Sequence, residues 1–86
     1  MPDLSVIIIT KNEVENVSAA LKSVAWANER LVVDSGSTDD TVSIARRYAD
    51  RVLSHAWEGY GAQKNFATRL AANDWVLSID ADERVP

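Results

Sequence analysis

Three carboxylates crowd into four positions at Asp80-Ala81-Asp82-Glu83, directly behind the apolar run Trp75-Val76-Leu77-Ser78-Ile79. On an extended chain, side chains at i and i+2 point to the same side. Holding like charges together is unfavourable unless something positive sits between them, and a hard divalent cation with oxygen ligands is the natural occupant. Two acids after a strand are also common without any metal. The spacing alone leaves both readings open, and the choice rests on what else the chain brings to the same place.

The apolar run ahead of the acids is one of four short strand-like segments. Leu4-Ser5-Val6-Ile7-Ile8-Ile9-Thr10 is β-branched and almost continuously apolar, as a strand buried on both faces of a parallel sheet should be. Residues 30–34 and 51–54 read as a second and a third, shorter strand. Between them lie helical patterns. Asn12 is positioned to cap the first helix, with Glu15 completing a capping-box-like pair and Val14, Val17, Leu21 and Val24 as its apolar stripe. Ser37 or Thr38 caps the second, whose stripe is Val42, Ala45 and Ala49 and whose first turn holds Asp39 and Asp40 as partners of the helix dipole. The third spans residues 63–72, with Phe66, Ala67, Leu70 and Ala71 on one face. The order is β-α-β-α-β-α-β, an α/β chain in three α/β/α layers. Ligands of such sheets bind beyond the carboxyl ends of the strands. Here those ends are Thr10-Lys11-Asn12-Glu13, Asp34-Ser35-Gly36-Ser37, residues 55–60 and Asp80-Ala81-Asp82-Glu83, all of them polar.

With these segments placed, the chain resembles the amino-terminal half of a family 2 glycosyltransferase, a GT-A, Rossmann-like fold. Four blocks in order carry the resemblance: residues 5–13, residues 32–41, Gly61-Ala62-Gln63-Lys64-Asn65 and Asp80-Ala81-Asp82. The Gln-Lys-Asn and Asp-Ala-Asp-Glu details are most similar to bacterial lipopolysaccharide-core sugar transferases, which implies a role in cell-envelope polysaccharide synthesis. The resemblance implies a nucleotide-diphospho-sugar donor, a glycan or lipid-linked acceptor, and Mg2+ or Mn2+. It assigns the metal to Asp82, with Asp80 near the ribose or metal, and leaves Glu83 as a neighbour. It places Thr10, Asn12 and Glu13 against the nucleoside, with Asp34 and Ser35 near the base. The family often has two adjacent aspartates at that point; Ser35 stands in the second place, so one carboxylate-to-base contact is lost. Lys64 would offset diphosphate charge. The implied strand order is 3-2-1-4, with residues 1–86 forming a single donor subdomain cut just after the Asp-x-Asp element. No catalytic residue is expected in this stretch, because the family's general base lies in a second half. Cut there, the fourth strand forms an open edge on which two copies would pair.

Each of these residues has a plainer reading. Asp34 suits a turn, Glu13 the first turn of a helix, Asn12 a cap and Lys64 a solvated surface. His55 reads as a hydrogen-bonded loop residue. Trp26, Trp57 and Trp75 read as packing residues, although Trp57 and Tyr60 share a loop at the pocket edge.

Bulk properties narrow the classes further. Eighty-six residues allow one domain, with 47% hydrophobic and 26% charged residues. A net charge of −4 offers no basic footprint for nucleic acid or an anionic membrane. With no cysteine and one histidine, disulfides, thiolate sites and a histidine zinc triad are excluded. The cytoplasm is the default location, peripheral to the inner face of the membrane if the resemblance holds. An aspartyl phosphatase would want Thr or Val where Arg84 stands, and a receiver-type domain would want acids where the chain has Thr10-Lys11. A nucleotide-binding or structural fragment without activity is the main alternative to a transferase.

Overall fold

The computed structural model describes residues 3–82, Tyr60 by its backbone alone. The expectations for Glu83, Arg84 and the Tyr60 side chain lie outside the described residues. Seven elements alternate along the chain: β1 (Leu4–Thr10), α1 (Val17–Ser23), β2 (Glu29–Asp34), α2 (Thr41–Tyr48), β3 (Arg51–Ser54), α3 (Tyr60–Leu70) and β4 (Trp75–Asp80). The strands form one parallel sheet in the order β3-β2-β1-β4. Strand type and order match the expectation, and β4 lies at an outer edge beside β1.

The continuous apolar run of β1 conceals a period of two. Val6 and Ile8 face the cluster that holds Val17 and Leu21 of α1, Val24 just after it and Ala45 of α2. Ile7 faces the opposite cluster with Leu31, Val33 and Ala67, against which Phe66 and Leu70 of α3 pack. One helical layer therefore carries α1 and α2 and the other carries α3. The buried β-branched core of the two central strands is what forces layers onto both faces. Among the described residues, no helix is long and apolar enough to cross a membrane.

The helix starts differ from the expected ones. Asn12 is not a helix cap: it has φ +52°, and α1 begins only at Val17. Its backbone N–H donates to Ser37 Oγ at 2.8 Å, and its Oδ1 accepts from Thr38 N–H at 2.8 Å. Ser37 and Thr38 are thus drawn toward β1 and do not cap α2. The residue at the start of α2 is Asp40, which makes no side-chain capping bond, while Asp39 ahead of it accepts from Thr41 N–H at 2.9 Å. The third helix starts three residues early, behind Gly59 at φ +103°, a conformation that glycine adopts without steric cost. The tryptophans also depart from expectation. Trp26, Trp57 and Trp75 are 59%, 51% and 63% exposed, so none is a core residue.

Candidate functional site

Register brings the first two polar strand ends together. Thr10 is the partner of Asp34 across β1 and β2, and Ile9 is the partner of Asp80 across β1 and β4. Asp34 is 2% exposed and is surrounded by donors. Thr10 Oγ1 donates to it at 2.6 Å, Ser37 Oγ at 2.5 Å, and the backbone N–H groups of Gly36 and Ser37 at 3.0 and 2.8 Å. Burial by itself raises the pKa of this carboxyl. The hydrogen bonds from Ser37, Thr10 and Gly36 outweigh it and hold the group below the ordinary carboxylate range. Asp34 is thereby the clamp that folds the β2–α2 turn, as its plainer reading held.

Further links close the same wall. Lys11 Nζ donates to Gly36 O at 2.9 Å and to Ser35 O at 3.4 Å. Ser35 Oγ donates to Thr10 O at 3.2 Å. Glu13 N–H donates to Thr41 Oγ1 at 2.8 Å, and the Thr41 hydroxyl makes a short bond to Asp39. That hydroxyl is the first reason the Asp39 carboxyl titrates below its usual range. The chain ahead of α1 and the chain ahead of α2 are therefore stitched to one another, and the stitching holds the β1 end still.

A cavity of about 510 Å3 opens beyond this wall. Thr10 lines it from the end of β1, Lys11 and Glu13 from the chain after it, Ser35 from the turn after β2, and Asp80 and Asp82 from the end of β4 and the turn behind it. Trp57 lines it from the loop between β3 and α3. Five of the expected site residues thus meet at one place: Thr10, Glu13, Ser35, Asp80 and Asp82. Asn12 and Asp34 belong to the supporting wall, and Lys64 is an exposed residue of α3 off the cavity lining. The route by which the two aspartates meet was not the expected one. The strand ends at Asp80 and the chain turns at Ala81 and Asp82, so alternation along an extended strand does not align them. Ala81, 3% exposed, anchors the turn in the core while Asp82 stays exposed.

Lys11 and Trp57 are cavity residues beyond those expected from the resemblance. Lys11 is flanked by expected site residues, and that position was its only signal. The loop carrying Trp57 is anchored by His55, whose N–H donates to Asp34 O at 2.9 Å. Its Nδ1 lies 2.7 Å from Oε1 of the fully buried Gln63, and its ring stacks on Phe66. His55 is therefore a hydrogen-bonded loop residue, as expected.

The donor chemistry suits a hard cation. Asp80 and Asp82 bring carboxylate oxygens to the cavity. Among the described residues no three acidic or histidine side chains gather into a full ligand set. An ion held here would take its remaining oxygens from a ligand or water, which is the habit of Mg2+ at phosphate sites.

Known proteins match nearly the whole chain. The profile of Glycosyl transferase family 2 matches residues 5–86. An uncharacterized glycosyltransferase of Rickettsia felis is 49% identical over 86 residues, covering 99% of this chain and 30% of that protein. The lipopolysaccharide core biosynthesis glycosyltransferase LpsC of Rhizobium meliloti is 38% identical over 87 residues, covering 95% of this chain and 32% of its own length. The chain thus spans about a third of these relatives. Among solved structures, glucosyl-3-phosphoglycerate synthase from Mycobacterium tuberculosis, in complex with Mn2+, UDP and glucosyl-3-phosphoglycerate, superimposes with a TM-score of 0.82 at 27% identity. That match covers 93% of this chain and 33% of the synthase.

Proposed function

Because the chain belongs to glycosyl transferase family 2, we propose that it forms the donor-binding part of an enzyme that moves a sugar from a nucleotide-diphospho-sugar to a glycan or lipid-linked acceptor. One observation carries this reading: Asp80 and Asp82 share a cavity with Thr10, Lys11, Glu13 and Ser35 at the carboxyl edge of a parallel sheet. The synthase structure, solved with Mn2+ and UDP, supports the donor class. The Rhizobium relative supports an acceptor in envelope polysaccharide synthesis.

In this reading an acceptor hydroxyl gives up its proton and bonds to the anomeric carbon as the bond from that carbon to the diphosphate breaks, and negative charge gathers on the departing nucleoside diphosphate. Asp80 and Asp82 would hold Mg2+ or Mn2+, which when bound supplies Lewis-acid stabilisation of that charge. Lys11 adds a positive side chain on the same wall. Glu13 and Ser35 present oxygens to the nucleoside, with a Ser35 hydroxyl where a second carboxylate would otherwise stand, and Thr10, its hydroxyl held by Asp34, shapes the wall beside them. Asp34 and Asn12 act as positioning residues, through the turn and the bridge they hold. Lys64 is assigned no contact.

Titration of the chain with UDP, GDP and CDP, with and without Mn2+, tests the reading. Binding of at least one of them that strengthens with Mn2+ is expected. An ordered protein that binds none in the presence of Mn2+ would overturn it.

A further inference from the structure

The candidate site has two chemically distinct ends. Asp80 and Asp82 line the cavity from β4, and Trp57 lines it from the loop after β3. These are the outer strands of the sheet β3-β2-β1-β4, three strand spacings apart, or about 14 Å. An extended nucleoside diphosphate spans a similar distance, with charge at one end and a planar aromatic base at the other. With the diphosphate at the aspartates, the nucleoside runs past Thr10 and Ser35, and the base arrives at the β3 side. Building on the donor-site reading above, we infer that Trp57 is the base-stacking residue of this site.

Trp57 suits that task in three respects. It is the only aromatic ring lining the cavity among the described residues, and it is 51% exposed, which leaves much of its apolar surface without cover. Trp26 and Trp75 are as exposed but lie off this cavity. The backbone that presents it is held on both sides. Two residues before it, His55 stacks on Phe66 with ring centroids 3.8 Å apart, and its carbonyl accepts from Gln63 Nε2 at 3.1 Å. Two residues after it, Gly59 opens α3. A ring on an anchored loop loses little conformational freedom when a base stacks on it. An indole face is also tolerant of base identity, so any preference would come from the extent of overlap.

The test measures binding of the chain in Mn2+ buffer to UDP, GDP and CDP, to UDP-glucose, and to pyrophosphate as a ligand without a base. Trp57→Ala should weaken the best-bound nucleoside diphosphate about tenfold and leave pyrophosphate unchanged, while Trp57→Phe keeps most of the affinity. Circular dichroism checks that both variants are folded. Unchanged nucleoside diphosphate affinity in Trp57→Ala, or an equal loss for pyrophosphate, would overturn the assignment. So would a loss confined to UDP-glucose, which puts the ring against the sugar. Any of these leaves the donor-site reading intact. A wild-type chain that binds neither a nucleoside diphosphate nor pyrophosphate removes both.

Discussion

At the amino end of the sheet Glu29 is 7% exposed. One of its oxygens accepts from the Ser5 hydroxyl and from Ala72 N–H, both at 2.9 Å. The other pairs with Arg51 at 3.3 Å. Arg51 also donates to Leu70 O at 2.7 Å, and Asn73 donates to Ser5 Oγ through its backbone and its side chain. The connection from α3 to β4 is thereby tied to β1, β2 and β3 around one acid. Burial alone pushes the Glu29 pKa up, and its hydrogen bonds and Arg51 bring it below the usual range. At the carboxyl end, Asp82 is exposed and shares an open cavity with Asp80. A carboxylate enclosed by its own chain's donors is scaffold. Carboxylates that line a cavity together stand where a ligand can reach them.

Exchanging the two roles gives the largest expected effects. Asp82→Ala should abolish the Mn2+-dependent part of nucleoside diphosphate binding and change stability by less than about 0.5 kcal/mol, as for an ordinary surface substitution. Glu29→Ala should do the opposite. It strips the Ser5 and Ala72 donors of their acceptor, costs about 2–3 kcal/mol, and leaves the affinity of the folded protein unchanged. Calorimetric titration and urea unfolding of both variants read the two effects. The contrast breaks if Asp82→Ala unfolds the chain, or if Glu29→Ala costs nothing.

Acid acts more gently, and on the enclosed carboxylates of both ends alike. Glu29 and Asp34 both have folded pKa values below their ordinary ones. The unfolded chain therefore binds more protons near pH 4, so stability rises with pH there. Their contribution is complete above the ordinary carboxyl pKa of about 4 and is lost as pH falls through the lower folded values. The urea midpoint should fall on acidification below about pH 4, and Glu29→Gln should flatten that fall. A wild-type midpoint that holds steady from neutral pH to pH 3 would count against both clamps.

The smallest expected effect concerns the bridge behind the cavity. Asn12→Ala removes the acceptor for Thr38 N–H and places a less tolerant residue at φ +52°. It should cost about 1–2 kcal/mol. Asn12→Gly loses the same bond but relieves the backbone, so it should cost less. Equal unfolding midpoints for the two variants would show that the left-handed backbone carries no energy here.

Much of this chain was legible before its structure. Ile7, Ile8, Val32 and Val33 announced central parallel strands, because only a strand covered on both faces hides so continuous an apolar run. The helix starts were not legible. Asn12 carries the chemistry of a cap, but its partners sit on Ser37 and Thr38, 25 and 26 residues away. No local pattern reports a partner at that distance. Glu29 was missed for the same reason: it stands just ahead of the expected second strand, residues 30–34, and its donors come from Ser5, Arg51 and Ala72.

The alternation of strands and helices, the polar strand ends, and the acidic pair behind the fourth strand are all readable in the order of residues. These follow from local composition and period, which need no knowledge of what lies across the sheet. Which acids are scaffold and which line the cavity emerges only once the chain is folded, as does the place of Trp57 at the cavity and of Lys64 off it. Whether a carboxylate is saturated depends on donors that strand register brings to it, 24 residues along the chain for Asp34 and Thr10, 43 for Glu29 and Ala72.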